Sequence, residues 1–259
     1  MAGIPFFQVD AFAAGPLTGN PAAVMPLDRW LDDALLQAIA AENNLSETAF
    51  AVPAQGEDAD YDLRWFTPTT EVALCGHATL AAGHVLIHGT RVRFATRSGI
   101  LTVSRNGDLL ELDMPAAPPE PADLPELKRA LGVEGETFLS LAGNGNAILL
   151  LGSEAEVRSV RPDFAALAKL PYLVSVTAPG DEQDIASRVF AAYHGVLEDP
   201  VTGSAHTALV PFWAERLGRD AFTALQASRR TGILHCRLEG ERAVLGGACV
   251  TVIVGTFQL

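Results

Sequence analysis

Short apolar runs broken by polar punctuation dominate the first half of the chain. Pro5 to Phe12, Ala22 to Met25, Thr48 to Val52 and Tyr61 to Phe66 are rich in β-branched or aromatic residues and predict strands. Between the second and third of these, Leu31, Leu35, Leu36 and Ile39 recur at helical spacing. They follow Asp28, Asp32 and Asp33, acidic residues that suit a helix start, so an outer amphipathic helix is predicted. Ala78 to Ile87 differs in being apolar on nearly every face except at His84, which predicts a helix enclosed by other elements. Ile100 to Arg105 and Leu109 to Asp113 flank Asn106-Gly107, a pair that favours left-handed backbone and predicts a hairpin with a type I′ turn.

Pro115, Pro118, Pro119, Pro121 and Pro125 then crowd together. Such a stretch loses amide donors and resists both helix and ladder, so it predicts a linker, with a boundary near residue 118 between a domain of residues 1–118 and one of residues 119–259. The second half repeats the theme. Strands are predicted at Thr137 to Leu141, Ala147 to Leu151, Tyr172 to Ala178 and Ser187 to Ala192, and a helix from about Ser204 to Leu217, bent or broken at Pro211. Gln226 to Ser228, Gly232 to Leu238 and a long run from Ala243 to Val254 supply further strands, and the pattern leaves open whether the last crosses back to the first domain.

Two segments look like copies of one device: Leu74-Cys75-Gly76-His77-Ala78-Thr79-Leu80 and Val201-Thr202-Gly203-Ser204-Ala205-His206-Thr207. In each, a small Gly-x-Ala step opens a mostly apolar helix and leaves backbone N–H groups at its positive end, a natural seat for an anion. Lying about half a chain apart, they predict two related halves, each giving one helix N-terminus to a shared cleft. The fold class expected is mixed α/β with two pseudo-symmetric domains, each a curled mixed sheet around a central helix.

Composition narrows the function. With 259 residues, 49% of them hydrophobic, the chain can fill real cores. Its net charge of −13, without a sustained run of Lys or Arg, excludes the electrostatic footprint of a nucleic-acid binder. That field also repels a small carboxylate, so local backbone donors must outweigh it if one binds. No apolar stretch is long enough to span a membrane and Met1 to Pro5 lacks a signal pattern, so a cytoplasmic protein is expected. Cys75, Cys236 and Cys249 are odd in number and widely spaced, which argues against a disulfide framework and structural zinc. Gly143-Asn144-Gly145 reads as a turn, not a dinucleotide fingerprint. His84 and His88 lack the Glu and third ligand of a helical zinc site. Trp65, Phe66, Tyr193 and Trp213 suit a pocket wall or core packing.

Gln8-Val9-Asp10-Ala11-Phe12, Gly19-Asn20-Pro21-Ala22-Ala23-Val24, Asn44-Leu45-Ser46-Glu47-Thr48-Ala49-Phe50, Phe66-Thr67-Pro68, Cys75-Gly76-His77-Ala78-Thr79 and Glu198-Asp199-Pro200-Val201-Thr202-Gly203-Ser204-Ala205, in that order, resemble the phenazine-biosynthesis PhzF-like family. The resemblance runs on to Leu245-Gly246-Gly247 and Val250-Thr251-Val252, covering essentially the whole chain. It implies a diaminopimelate epimerase-like fold, a site between the two domains, and a cofactor-free, metal-free proton shift on a small cyclic amino acid. A homodimer is also implied. The family's acid/base glutamate maps to Glu47.

Elementary chemistry agrees. A carboxyl group in apolar surroundings is desolvated and titrates nearer neutrality, so one group can take a proton from carbon and return it elsewhere. Glu47 has Leu45, Ala49 and Phe50 beside it. The resemblance implies that both motifs line the pocket, so that His77 holds or relays a proton and Asp199 orients a substrate amine; the alternatives are that Asp199 caps the following turn and His77 satisfies a buried carbonyl. Gly76 and Gly203 admit a carboxylate close to the backbone, Thr202 and Ser204 add hydroxyl donors, and Asn20 is a further candidate ligand. Cys75 stands where two-thiol racemases carry a cysteine, but the matching residue in the second copy is Thr202, far too weak an acid. A two-thiol racemase is therefore disfavoured, and a small apolar filler is the commoner fate of such a thiol.

Overall fold

A computed structural model describes residues 3–142 and 145–259, so the turn expected at Gly143-Asn144 lies outside the described residues. The chain forms two compact units: Met1–Asp113 together with Gly246–Leu259, and Met114–Leu245. The division falls a few residues before Pro118, and the C-terminal strand belongs to the first unit.

In the first unit Ile4–Ala11 lies between Cys249–Phe257 and Asn20–Pro26, antiparallel to both. Asn20–Pro26 runs parallel to Glu47–Pro53, which is antiparallel to Tyr61–Phe66. That strand is parallel to Arg91–Thr96, which pairs antiparallel with Gly99–Asn106. Parallel neighbours need crossovers, and the helices Asp33–Asn43 and Gly76–Leu86 supply them. The first is amphipathic and buries Leu36, Ile39 and Ala40. The second is enclosed from Gly76 through Gly83, as its all-round apolar pattern predicts. Gly83 is required there, because a side chain would strike Val103 on the strand Gly99–Asn106.

The second unit has the same plan. Glu136–Ser140 is antiparallel to Asn146–Leu150, which is parallel to Leu173–Pro179. Ile185–Ala191 follows antiparallel, Ala221–Gln226 parallel, and Gly232–Glu239 antiparallel. The buried helix Gly203–Leu217 makes the second crossover, as Gly76–Leu86 does in the first unit. The duplication expected from two short motifs thus extends to the whole order of strand pairing.

Several local expectations are corrected. The hairpin exists, but Asn106 pairs with Leu109, so Gly107-Asp108 forms the turn. Only Gly107 has positive φ, the signature of a II′ rather than a I′ turn, and the Asn106 amide donates to Glu111 instead (2.7 Å). The proline-rich stretch is structured: Glu120–Pro121 pairs with Phe138 and Leu139, and Pro125 opens the helix Pro125–Leu131 at its first turn, where the missing N–H costs nothing. Pro211 leaves Gly203–Leu217 unbroken. The bond it cannot make would have gone to the Thr207 carbonyl, which instead accepts the Ala117 N–H at 2.9 Å, so the proline-rich stretch completes the helix. The tail run divides at Ala248 into Arg242–Gly247 and Cys249–Phe257, and the strand expected at Gln226 to Ser228 is Ala221–Gln226.

Candidate active site

Asn20 and Glu47 are the first residues of two parallel strands, so they share one end of the first unit's sheet. Gly19 enters this end with φ +76°, and a side chain on it would collide with the Ala11 carbonyl. The crossover helix Gly76–Leu86 starts at the same end, from an extended Cys75, and brings His77 to both strands.

The contacts define protonation. Ser46 Oγ donates to Asn20 Oδ1 (2.9 Å), which turns the amide nitrogen toward His77 Nδ1 at 3.2 Å. An amide nitrogen only donates, so Nδ1 of the neutral ring accepts and the ring proton sits on Nε2. Nε2 is 3.0 Å from Glu47 Oε2, a charge contact whose N–H direction lies off the line of a formed hydrogen bond. Cys75 Sγ lies 3.5 Å from Nδ1, so a ring protonated on both nitrogens also finds an acceptor.

His77 is almost fully buried. Burial opposes charge on the ring, but the Cys75 sulfur, as an acceptor of the ring proton, and the Glu47 carboxylate, as its charged partner, act against burial and raise its proton affinity above the ordinary value. Burial, and then the Glu47 charge, push the Cys75 thiol up to about 11. Near neutrality Cys75 is therefore a thiol, and the Glu47 contact is the one that acts on His77.

In the second unit the loop from Asp199 to Thr202 leads into the helix Gly203–Leu217. Thr202 Oγ1 donates to Asp199 Oδ2 at 2.6 Å, and the Thr202 N–H donates to Gln226 Oε1 at 2.8 Å. The Thr202 hydroxyl, expected as a ligand donor, here donates to Asp199, and its N–H donates to Gln226 at the end of the strand Ala221–Gln226. Gln226 also donates to the Asp199 carbonyl (2.8 Å) and to Thr202 Oγ1 (3.1 Å), fixing both ends of the loop from a fully buried position. Ser204 occupies the place of His77, next after the glycine.

One turn into each helix, a side chain bonds back to the residue before the glycine: Thr79 Oγ1 to the Cys75 carbonyl and His206 Nδ1 to that of Thr202. Burial pushes His206 down to about 4, so this ring is neutral.

The motifs pointed to neither Gln226 nor Asn146. Asn146 opens its strand as Asn20 does, behind Gly145 at φ +70°, and its buried amide reaches the Ser204 carbonyl at 3.5 Å. Among the described residues its Oδ1 has no hydrogen-bond partner. The signal was present as the repeated Gly19-Asn20 and Gly145-Asn146 pairs, each opening an apolar strand. Gln226 carried none, because a lone glutamine at a strand end has no characteristic spacing. Trp65, Phe66 and Trp213 are core residues, Tyr193 is exposed, and His84 bonds to Thr251 Oγ1 (2.9 Å).

Each unit sets a mixed sheet against a buried helix, the architecture expected of the diaminopimelate epimerase-like fold. A probable proline racemase from Agrobacterium radiobacter shares the fold at 14% identity, with TM-score 0.67 over 99% of this chain and 93% of that one. Much nearer is a PhzF family protein of Enterococcus faecalis, 41% identical with TM-score 0.92 over 99% of this chain and 100% of that one. An uncharacterised isomerase of Pseudomonas aeruginosa is 51% identical over 99% of both chains. The family model described as phenazine biosynthesis-like protein matches residues 9–255. The chain belongs to this phenazine biosynthesis-like family of isomerases. Among the described residues, no helix is long and apolar enough to cross a membrane.

Proposed function

We propose that the protein moves a proton, without a cofactor, between positions of a small carboxylate-bearing cyclic or unsaturated metabolite, with Glu47 as acid/base. The observation that carries this is the approach of Glu47 Oε2 to His77 Nε2 (3.0 Å) at the first turn of a buried helix. A Glu47 oxygen takes the proton from carbon, and the C–H electron pair passes into a system conjugated with the substrate carboxylate. The electron pair then takes the proton back from Glu47 at another carbon. His77 supports the changing charge on Glu47. Gly76 and its helix end provide fixed N–H donors for an enolate-like intermediate, and in the second unit Gly203 and Ser204 open a helix end of the same kind for a substrate carboxylate. Asp199, held by Thr202, orients a substrate amine, and Asn20 fixes the His77 tautomer.

An epimerase using Cys75 is the other reading within this fold. A thiol pushed up to about 11, with Thr202 at the matching position, speaks against it. Incubation with dihydroxybenzoate- or anthranilate-like acids in D2O tests both. Glu47→Gln should abolish deuterium entry at carbon while sparing binding, and Cys75→Ala should retain it. Wild-type labelling by Glu47→Gln would remove Glu47 from the mechanism, and absence of labelling by the native protein on any acid it binds would favour a binding protein.

A further inference from the structure

Glu47, Cys75 and His77 offer a carboxylate oxygen, a thiol sulfur and an imidazole nitrogen that all lie within 4.8 Å of one another. Bond lengths of about 2.0 to 2.3 Å place the donors around a tetrahedral zinc ion roughly 3.3 to 3.7 Å apart. The Cys75–His77 separation of 3.5 Å falls inside that span, and side-chain rotation of about 1 Å closes the widest gap allowed by the cluster. The donors suit a metal: His77 Nδ1, on a side chain only 5% exposed, carries the lone pair of the neutral ring and is held by the Asn20 amide at 3.2 Å, and among the described residues Glu47 Oε2 has no hydrogen-bond partner. Glu47 is the more exposed side chain of that pair, at 17%, and gives a route for a cation and a water as fourth ligand.

We propose that Glu47, Cys75 and His77 bind a thiophilic divalent cation of the zinc class, as an inhibitory ligand and not a resident cofactor. On binding, the Cys75 sulfur, His77 Nδ1 and one Glu47 carboxylate oxygen each form a bond to the metal; the Asn20 amide releases Nδ1, Nε2 keeps its proton, and the thiol proton leaves to solvent. The Glu47 oxygen that would accept a substrate proton is then occupied. Sulfur in the donor set selects zinc-like ions over magnesium, which prefers oxygen ligands. The binding claim stands apart from the isomerase assignment, and only its inhibitory consequence rests on Glu47 chemistry.

Calorimetric titration of the full-length protein with ZnCl2 and with MgCl2, with Cys75→Ala, Cys75→Ser and Cys249→Ala alongside, tests it. One zinc should bind per chain with proton release, magnesium should not bind, and both Cys75 variants should lose at least about tenfold in affinity while Cys249→Ala retains it. Melting temperatures without metal establish that each variant is folded. Zinc should raise that of the wild type and of Cys249→Ala but not those of the Cys75 variants. Co2+ should give a sulfur-to-metal absorption band that disappears with Cys75. No stoichiometric zinc binding, or unchanged affinity in folded Cys75→Ala and Cys75→Ser, would overturn the proposal. Binding as described without inhibition of deuterium exchange would overturn only its inhibitory part.

Discussion

Replacing Gln226 by Leu keeps a buried side chain of similar length and removes three hydrogen bonds that hold the Asp199–Thr202 loop. Gln226 is fully buried and Thr202 nearly so, so water cannot easily take over the lost contacts. The Thr202 N–H loses its acceptor at 2.8 Å, and the Asp199 carbonyl and Thr202 Oγ1 lose donors at 2.8 and 3.1 Å. A net contribution near 1 kcal/mol per bond, with the added cost of an orphaned buried N–H, predicts a loss of about 2–4 kcal/mol in unfolding free energy. That is a large fraction of the roughly 5–15 kcal/mol typical of a domain, yet it leaves the protein folded. Urea denaturation monitored by tryptophan fluorescence measures it. Gln226→Glu separates the contacts, since a carboxylate still accepts from the Thr202 N–H but cannot donate to the Asp199 carbonyl. Because that carboxylate is an unpaired charge in a fully buried place facing the Asp199 carbonyl, it should cost at least as much stability as Gln226→Leu at neutral pH, and both variants should lose deuterium-exchange activity because Asp199 is no longer held in place. A loss below about 0.5 kcal/mol for Gln226→Leu would place it among ordinary surface substitutions and show that the loop is held by something else.

Asn20→Leu should reduce exchange activity more than it reduces substrate affinity, because His77 Nδ1 loses the donor that keeps the ring proton on Nε2. An unchanged turnover rate would contradict that tautomer assignment. Stability should fall on acidification through His206, whose folded affinity for a proton is depressed to about 4 by burial. Its contribution is intact above the ordinary value near 6.5 and is withdrawn as pH drops toward 4, by up to about 3 kcal/mol. His206→Asn should flatten that limb in urea titrations, and parallel curves for wild type and variant would refute the assignment. His77 has the opposite sign, since its proton affinity is raised: its contribution is full below about 6.5 and is lost as pH rises through the folded value. Finally, Ala117→Pro should orphan the Thr207 carbonyl and cost about 1–3 kcal/mol. Pro211→Ala restores a helix N–H to that carbonyl, so the double variant should recover part of the loss, and strict additivity would refute the exchange of donors.

Elements with strong periodicity were legible in the sequence. Tyr61–Phe66 has its expected bounds, and the all-round apolar face of Gly76–Leu86 correctly implied enclosure. Features set by tertiary partners were not. Pro211 looked like a helix breaker because the sequence does not show Ala117 donating to Thr207, and the proline cluster looked like a linker because its pairing with Phe138 and Leu139 is non-local. Arg91–Thr96 was overlooked although Val92 and Phe94 alternate with polar neighbours, since a short strand with two arginines gives a weak signal. The candidate site was legible where residues sit in motifs and silent at Gln226.

The duplication explains what kind of chemistry the fold can host. Both units repeat a left-handed glycine, a strand-opening asparagine and a glycine-led buried helix, so both carry the same frame of helix-end N–H donors. Glu47 is not repeated. In the second unit Leu173 opens the strand corresponding to Glu47–Pro53, and by pairing register Ser175, opposite Ile148, matches Glu47, opposite Ala22. Neither can exchange a proton near neutrality. His77 likewise gives way to Ser204, and Cys75 to Thr202. A racemase that removes a proton with one group and delivers it from an opposed second group needs reactive residues in both copies. At these three positions they stand in one copy alone, which suits the proposed reaction, in which Glu47 both takes the proton and gives it back at another carbon.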